Sequence, residues 1–449
     1  MKVDHTELFE NTPVPKALIT LVVPTIISQM ITVIYSMADT YFIGQMNHPA
    51  QVAAATLAMP IFMMLTGFAN LFGIGGASFA SRCLGNGNRE KAYQCASFSI
   101  WASCAITLVY GIILYFVRGT ILPMIGADES TFQFCSQYLL WTITVGGIPT
   151  VLSACLSHLV RAEGYSKESS IGIALGGVMN IVLDPIFIFS LNMGIVGAAI
   201  ATMLSNVIAT IYFLILIYKI KEKTVIKFSP KHFTLGHGIP REILLVGFPS
   251  FAMFLMGTVS NLCLNKIVVS YSNAAIAGMG IAKKIDLLAF AVATGMTQGI
   301  LPLVAYNYGA KNYSRMKAAV RTAFMYGLGL SMVSTVFLFV GAVPVVRFFI
   351  DNAETIAYGQ YFLKVICITT PAIIVSMMII TIFQASGNKT NSLLISLLRK
   401  GVLGIPLMYL MNGLAGSKGI PWSMPLTDIL TMLVSLALFI PYWKKIGVE

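Results

Sequence analysis

The stretch "YKIKEKTVIKFSPKHFTLGHGIPRE" (residues 218–242) is the longest polar connection in a chain of 449 residues, and it falls near the middle. The segments on its two sides repeat in the same order. Pro24 in "LVVPTIIS" matches Pro249 in "LVGFPSFA". "GIGGASFASRCLGNGNREKA" (73–92) matches "QGILPLVAYNYGAKNYSRMK" (298–317), placing Gly75 on Gly299, Gly85 on Gly309 and Asn88 on Asn312. "IPTVLSACLSHLVRAEG" (148–164) matches "TPAIIVSMMIITIFQASG" (370–387), with Pro149 on Pro371 and Gly164 on Gly387, and "GIVGAAIATMLSN" (194–206) matches "GSKGIPWSMPLTD" (416–428). Each match is weak by itself, but all run in one order at an offset of 222 to 225 residues. The polar stretch therefore reads as a linker between two copies of one unit.

What that unit is follows from composition. The chain is 57% hydrophobic and 10% charged, with a mean hydropathy of +0.82, whereas a soluble domain is about 25% charged. Apolar windows long enough to cross a bilayer, about 20 residues each, recur near 17–43, 52–80, 92–117, 134–158, 169–190, 194–218, 241–270, 275–307, 316–342, 356–383, 390–413 and 420–442. The expectation is an all-α polytopic membrane protein of twelve transmembrane helices. A six-helix lobe (1–218), a linker (219–240) and a second six-helix lobe (241–449) divide it. Six is even, so the second lobe enters the bilayer from the same side as the first. The repeats are then parallel, related by an axis along the membrane normal, an arrangement in which a cavity between the halves alternates its access. The polar start, "MKVDHTELFENTPVPK", does not read as a cleavable signal.

The formal charge of +12 is not spread evenly. With the N-terminus taken as cytoplasmic, the even-numbered connections hold Arg82, Arg89, Lys91, Arg161, Lys167, Lys219, Lys221, Lys223, Lys227, Lys231, Arg241, Lys311, Arg315, Lys317, Arg321 and Lys389, and Lys444 and Lys445 close the chain on that side. The odd connections hold Arg118, Arg347 and Lys418, beside Asp128, Glu129, Asp351 and Glu354. This positive-inside pattern predicts a multi-pass membrane protein, both termini cytoplasmic and its surface in lipid. It argues against nucleic acid, which needs basic and aromatic residues interleaved on one soluble face. The seven cysteines and five histidines form no metal or disulfide spacing, and no nucleophile–base constellation nominates an enzyme.

Charges inside the apolar runs are then the informative residues, because an ionised Asp at mid-bilayer costs about 3 kcal/mol on insertion scales and is usually retained for function. Asp39 lies in "TVIYSMADTYFIG" (32–44), close enough to the outer end of helix 1 to be read either as interfacial or as mechanistic. In "VMNIVLDPIFIFSL" (178–191), Asn180 and Asp184 share one helical face. Pro185 follows, which frees the carbonyl of Ile181. The pair reads either as a structural device at the kink or as part of an oxygen-lined pocket of the kind broken helices build. Thr202 adds a hydroxyl from helix 6. Two carboxylates in a poorly solvated pocket cannot comfortably both stay charged, so a pair formed by Asp39 and Asp184 would hold a proton or Na+ and release it when the pocket reopens. Na+ at these acids is the one metal ion the pattern admits, and no cofactor is expected.

The second half does not copy the acids. The position aligned with Asp39 falls near Asn265 or Lys266, and Asn206 aligns with Asp428. Lys266, Lys283 and Asp286 are expected to pair structurally, and Arg399 and Lys400 to snorkel to the inner interface. With 24 methionines in the chain, the cavity between halves is expected to be apolar and adaptable. Met59, Met63 and Met253 are candidate linings, and Gln29, Tyr35, Asn261 and Tyr306 candidate polar contacts.

The paired halves, "MADTYFIG", "NLFGIGGASFASRCLGNGNREKA", "NIVLDPIFIF" and "LPLVAYNYGAKNYSRMKAA" together resemble the multidrug and toxic compound extrusion (MATE) transporters, the MepA-like exporters of bacteria above all. The resemblance spans essentially the whole chain. It implies a V-shaped pair of bundles working as a monomer, exporting cationic or amphipathic compounds in exchange for H+ or Na+. It also implies that the cation site of the first lobe falls on Asp39, Asn180, Asp184 and Thr202. The acid that some members carry in helix 7 has no clear counterpart here. Rival readings are a flippase for lipid-linked saccharides, whose cavity is basic and whose plan generally has fourteen helices, and an exporter of one specific metabolite.

Overall fold

The structure is a computed structural model describing residues 5–46, 48–268 and 271–447. Its described regular structure is helical throughout. The first lobe holds α1 (Val14–Gly44), α2 (Pro49–Gly85), α3 (Arg89–Met124), α4 (Phe132–Val145 with Gly147–Ala162), α5 (Ser166–Ser190) and α6 (Gly194–Lys219). The second holds α7 (Ile239–Val268), α8 (Asn273–Gly309), α9 (Tyr313–Val340), α10 (Ala353–Cys367 with Thr370–Ala385), α11 (Lys389–Leu397, a π-turn Leu398–Val402, and Gly404–Gly419) and α12 (Ser423–Lys445). Helical segments follow one another closely from Lys389 to Lys445, 57 residues. At 1.5 Å per residue this could run about 85 Å, enough for two crossings of a core about 30 Å thick. The chain reverses between α11 and α12, where Gly416 takes φ 56°. Twelve crossings result.

The repeat seen in the sequence returns as geometry. α4 and α10 are both bent, by 49° and 43°. Each bend lies just ahead of the aligned prolines Pro149 and Pro371, since a proline disfavours helix in the residue before it and lacks an N–H to donate. The turns into α3 and α9 are built alike. Asn88 Oδ1 accepts from the backbone N–H of Lys91 at 3.0 Å, and Asn312 Oδ1 from that of Arg315 at 3.1 Å. Such caps satisfy N–H groups that the first turn leaves free. The residue before each cap is left-handed, Gly87 at φ 73° and Lys311 at φ 56°.

The lobes meet along α1 against α8 and α2 against α7, at the end where the cationic connections gather. Here the paired glycines work reciprocally. A Cβ on Gly85 would overlap the carbonyl oxygen of Tyr306, and one on Gly309 would overlap that of Arg82. Further contacts lie in the same half of the molecule. Phe68 stacks on Phe251 at 5.9 Å, Ser78 donates to the Gln384 carbonyl at 2.6 Å, and Arg82 pairs with Glu242 at 3.5 Å. The N-terminal helical turn His5–Glu10 belongs to the first lobe by sequence but is tied to the second. Arg315 donates through Nε to the Phe9 carbonyl at 2.6 Å and through Nη2 to that of Leu8 at 3.2 Å. The linker is held to the first lobe instead, with the Thr224 hydroxyl (2.6 Å) and the Val225 N–H both donating to the buried Glu163 carboxylate.

Candidate cation and substrate site

The first lobe brings α1, α5 and α6 together around Asp39, Asn180, Asp184 and Thr202. Asp184 is fully buried and Asn180 is 3% exposed. Asn180 Nδ2 donates to Asp184 Oδ1 at 3.2 Å and lies 3.4 Å from Thr202 Oγ1. The helix-face pairing expected of Asn180 and Asp184 is therefore formed, and α6 supplies the hydroxyl. Asp184 is followed by Pro185, and the helix continues as a π-turn over Ile186–Ser190, a distortion common at functional sites. Asp39, on α1, is half-buried. Its Oδ1 is buried without a partner, and the Asp39 and Asp184 charges act on one another. Tyr138 of α4 feels both acids.

Three buried oxygens of these residues thus have no donor among the described residues: Asp39 Oδ1, Asn180 Oδ1 and Asp184 Oδ2. Buried acceptors without donors are rare, and each asks for an explanation. Carboxylate, amide and hydroxyl oxygens suit a hard cation or a proton shared between carboxylates. Among the described residues no group of three His, Cys, Asp or Glu side chains is poised for a metal ion.

The other candidates divide. Tyr35 packs beside this cluster, its ring against Gly177 of α5, while Met59, Met63 and Met253 are half-buried. Tyr306 is not a cavity residue. It is buried at the basic end, where its hydroxyl donates to Glu10 Oε1 at 2.6 Å and its ring stacks on Phe9 at 4.9 Å. Gln29 is engaged in holding the lobes together, its Nε2 donating to Gln298 Oε1 at 2.9 Å. The same oxygen accepts from Arg161 Nη1 at 3.1 Å. Arg161, which the charge pattern counts among the cations of the inner connections, is 1% exposed. Its Nη2 reaches the Ser169 hydroxyl at 3.2 Å. The only sequence signal for this role was its place inside the repeated "LVRAEG"/"IFQASG" match, where Gln384 stands in the second half.

In the second lobe, no pairing of Lys266 or Lys283 with Asp286 appears among the described ion pairs. Lys283 donates instead to Asn261 Oδ1 at 2.8 Å. The buried ion pair is Arg399 Nε with Asp428 Oδ1, 3.0 Å apart. Arg399 does not snorkel: it is 2% exposed and its guanidinium lies 5.6 Å from the Phe290 ring centroid. The π-turn in α11 turns it inward to a carboxylate that the next helix provides.

Two parallel six-helix lobes, joined at one end and carrying a buried oxygen cluster in one of them, define a membrane transporter rather than an enzyme. The family follows. The profile of the MatE family matches residues 24–186 and 249–410, one segment in each lobe, and the chain belongs to that family. It is 31% identical to the multidrug export protein MepA of Staphylococcus saprophyticus over 436 residues, 97% of this chain and 96% of that protein. Among solved structures, an outward-facing multidrug resistance MATE family transporter of the MOP superfamily superposes with a TM-score of 0.91 at 22% identity, covering 100% of both chains. A MATE protein solved in complex with MaL6 gives a TM-score of 0.92 at 23% identity, covering 98% of this chain and 99% of that one.

Proposed function

We propose that this protein exports cationic or amphipathic organic compounds across a bacterial cytoplasmic membrane, as a monomer, in exchange for H+ or Na+ bound at Asp39, Asn180, Asp184 and Thr202. The observation that carries the reading is the set of three buried, donor-less oxygens from α1 and α5. The kinship with a multidrug export protein over 97% of the chain supports the class of cargo. In this reading the basic end is cytoplasmic, both termini lie there, and the lobes are closed at that end. Cargo enters between lobe 1–218 and lobe 241–449, against Tyr35, Met59, Met63 and Met253. The chemistry is exchange. Filling the oxygen cluster neutralises two like charges and draws α1 and α5 together, which a cation-free pocket resists. Cargo and ion thus favour different arrangements of the same lobe, and each can drive the other out.

The test is efflux of a cationic dye from loaded vesicles under an imposed pH gradient and, separately, an imposed Na+ gradient. One gradient drives efflux in the native protein, and Asp184→Asn abolishes the driven component. Unaltered gradient-driven efflux in Asp184→Asn refutes the assigned role.

A further inference from the structure

We propose that the interior of the second lobe holds a binding pocket for the carboxylate of a transported compound, a charge-inverted counterpart of the first lobe's cation site. The proposal rests on the export reading for its cargo and names a chemical class within it, the zwitterionic amphiphile.

Position is the first argument. Asn261 lies one helical turn from the residue that the repeat aligns with Asp39, hence on the same face of α7. Asp428 in α12 stands where Asn206 stands in α6. Arg399 and Lys400 lie within a turn of the α11 positions matching Asn180, on a π-turn that redirects side chains toward the lobe interior. The pocket that collects oxygens in the first lobe collects nitrogens in the second.

Charge is the second. Lys283, Arg399 and Lys400 share this region with Asp286 and Asp428: Asp286 feels all four of the others, and Lys400 interacts with Lys283, Arg399 and Asp428. Three cations face two carboxylates. Asp428 is taken by Arg399. Lys283 has a neutral amide oxygen as its hydrogen-bond partner, and Lys400 makes no hydrogen bond or ion pair among the described residues. Arg399 Nη1, on a residue 2% exposed, is buried without a partner. An excess cation on membrane-spanning helices is expensive and marks a functional site by default, and the Lys283–Asn261 bond is open to the surface, where a ligand can reach it. An unsatisfied guanidinium nitrogen next in sequence to Lys400, with Lys283 in the same charge network, is a donor set a carboxylate seeks.

The walls suit the rest of such a molecule. Phe290 lies under the guanidinium, and Met256 packs against Gly401 of the π-turn, giving aromatic and thioether surface for an amphiphile's ring.

The experiment uses the purified full-length protein with two dyes of one scaffold: rhodamine 110, a free carboxylic acid, and rhodamine 123, its methyl ester. Binding is read by fluorescence polarisation, so it is independent of coupling. Lys283→Gln and Lys400→Gln each weaken the acid by about tenfold or more and leave the ester within about twofold. Lys400→Arg keeps the acid's affinity. Asp286→Asn, which removes a competing internal carboxylate, tightens the acid alone. That sign reversal separates a ligand pocket from a structural charge network, whose disruption weakens both dyes. Equal loss of both dyes in the lysine variants overturns the pocket. So does an unchanged affinity for the acid, or failure of the native protein to bind it. Native protein that binds the dyes but drives neither out of vesicles under either gradient refutes the export reading instead, while the binding pattern still decides the pocket.

Discussion

Gln298 is the residue on which the closed end of the molecule turns. Its side-chain oxygen, on α8 of the second lobe, accepts from Arg161 Nη1 at 3.1 Å and from Gln29 Nε2 at 2.9 Å, both in the first lobe. These bonds can form only while the lobes touch at the basic end. A hydrogen bond from a charged donor contributes about 1.5–3 kcal/mol and a neutral one about 0.5–1.5 kcal/mol. Gln298→Leu removes both and leaves the Arg161 guanidinium, 1% exposed, with fewer acceptors in the closed state. The closed arrangement should lose about 2–4 kcal/mol against the open one, about 30- to 1000-fold in their ratio. At the lower end, a 99:1 population falls to about 3:1. The assay is pulsed electron spin resonance between labels at Glu90→Cys and Ser314→Cys, exposed positions on opposite lobes, in a background without the native cysteines. A second, longer distance should grow in with Gln298→Leu. Gln298→Glu gives Arg161 a counter-charge and should suppress that distance below the native level. A distance distribution identical in all three, from protein that elutes as a folded species, refutes the assignment of this bridge as the lock.

Two further outcomes follow from the same contacts. Gly309→Ala places a methyl group on the Arg82 carbonyl oxygen, backbone that cannot yield as a side chain would. The labels above should again report opening, with transport lost while the protein still inserts in the membrane. Glu163, just beyond the end of α4, is pushed up to about 7 by burial, against the hydrogen bonds from Thr224 and Val225 that favour its charged form. A carboxyl raised in the folded protein contributes stability that is whole below its ordinary value and is lost as pH rises through the folded one. Hydrogen exchange of linker residues 220–226 should therefore quicken as pH rises from about 4.5 to about 7, after correction for intrinsic exchange. In Glu163→Gln that extra acceleration should vanish; its persistence would assign the pH response to another group.

Legibility in the sequence tracked how local each feature is. The spans were readable because a bilayer imposes about 20 apolar residues on any helix that crosses it. The repeat was readable because the same turn, Asn cap and pre-proline bend recur at a steady offset. Asn180 and Asp184 were readable as a pair because four residues along one helix set them on one face.

Partners drawn from helices far apart in the chain were another matter. Arg161 looks like one more inner cation, yet α8 and α5 close over it with Gln298 and Ser169. Arg399 looks like a snorkelling residue, yet Asp428 on the next helix keeps it inside. Tyr306 looks like a cavity aromatic, yet the N-terminal turn covers it with Phe9 and Glu10. Asp39 carries an interfacial explanation in the sequence, and only the fold sets its helix against α5, which bears Asp184. By itself the sequence determined the medium, the number of crossings, the parallel halves and which lobe carries the Asn180–Asp184 pair. Those are properties of composition, period and spacing, which the chain displays residue by residue. Tertiary structure decided which buried charge meets which partner and which oxygens are left without one, because burial and pairing exist only once separate helices share a surface.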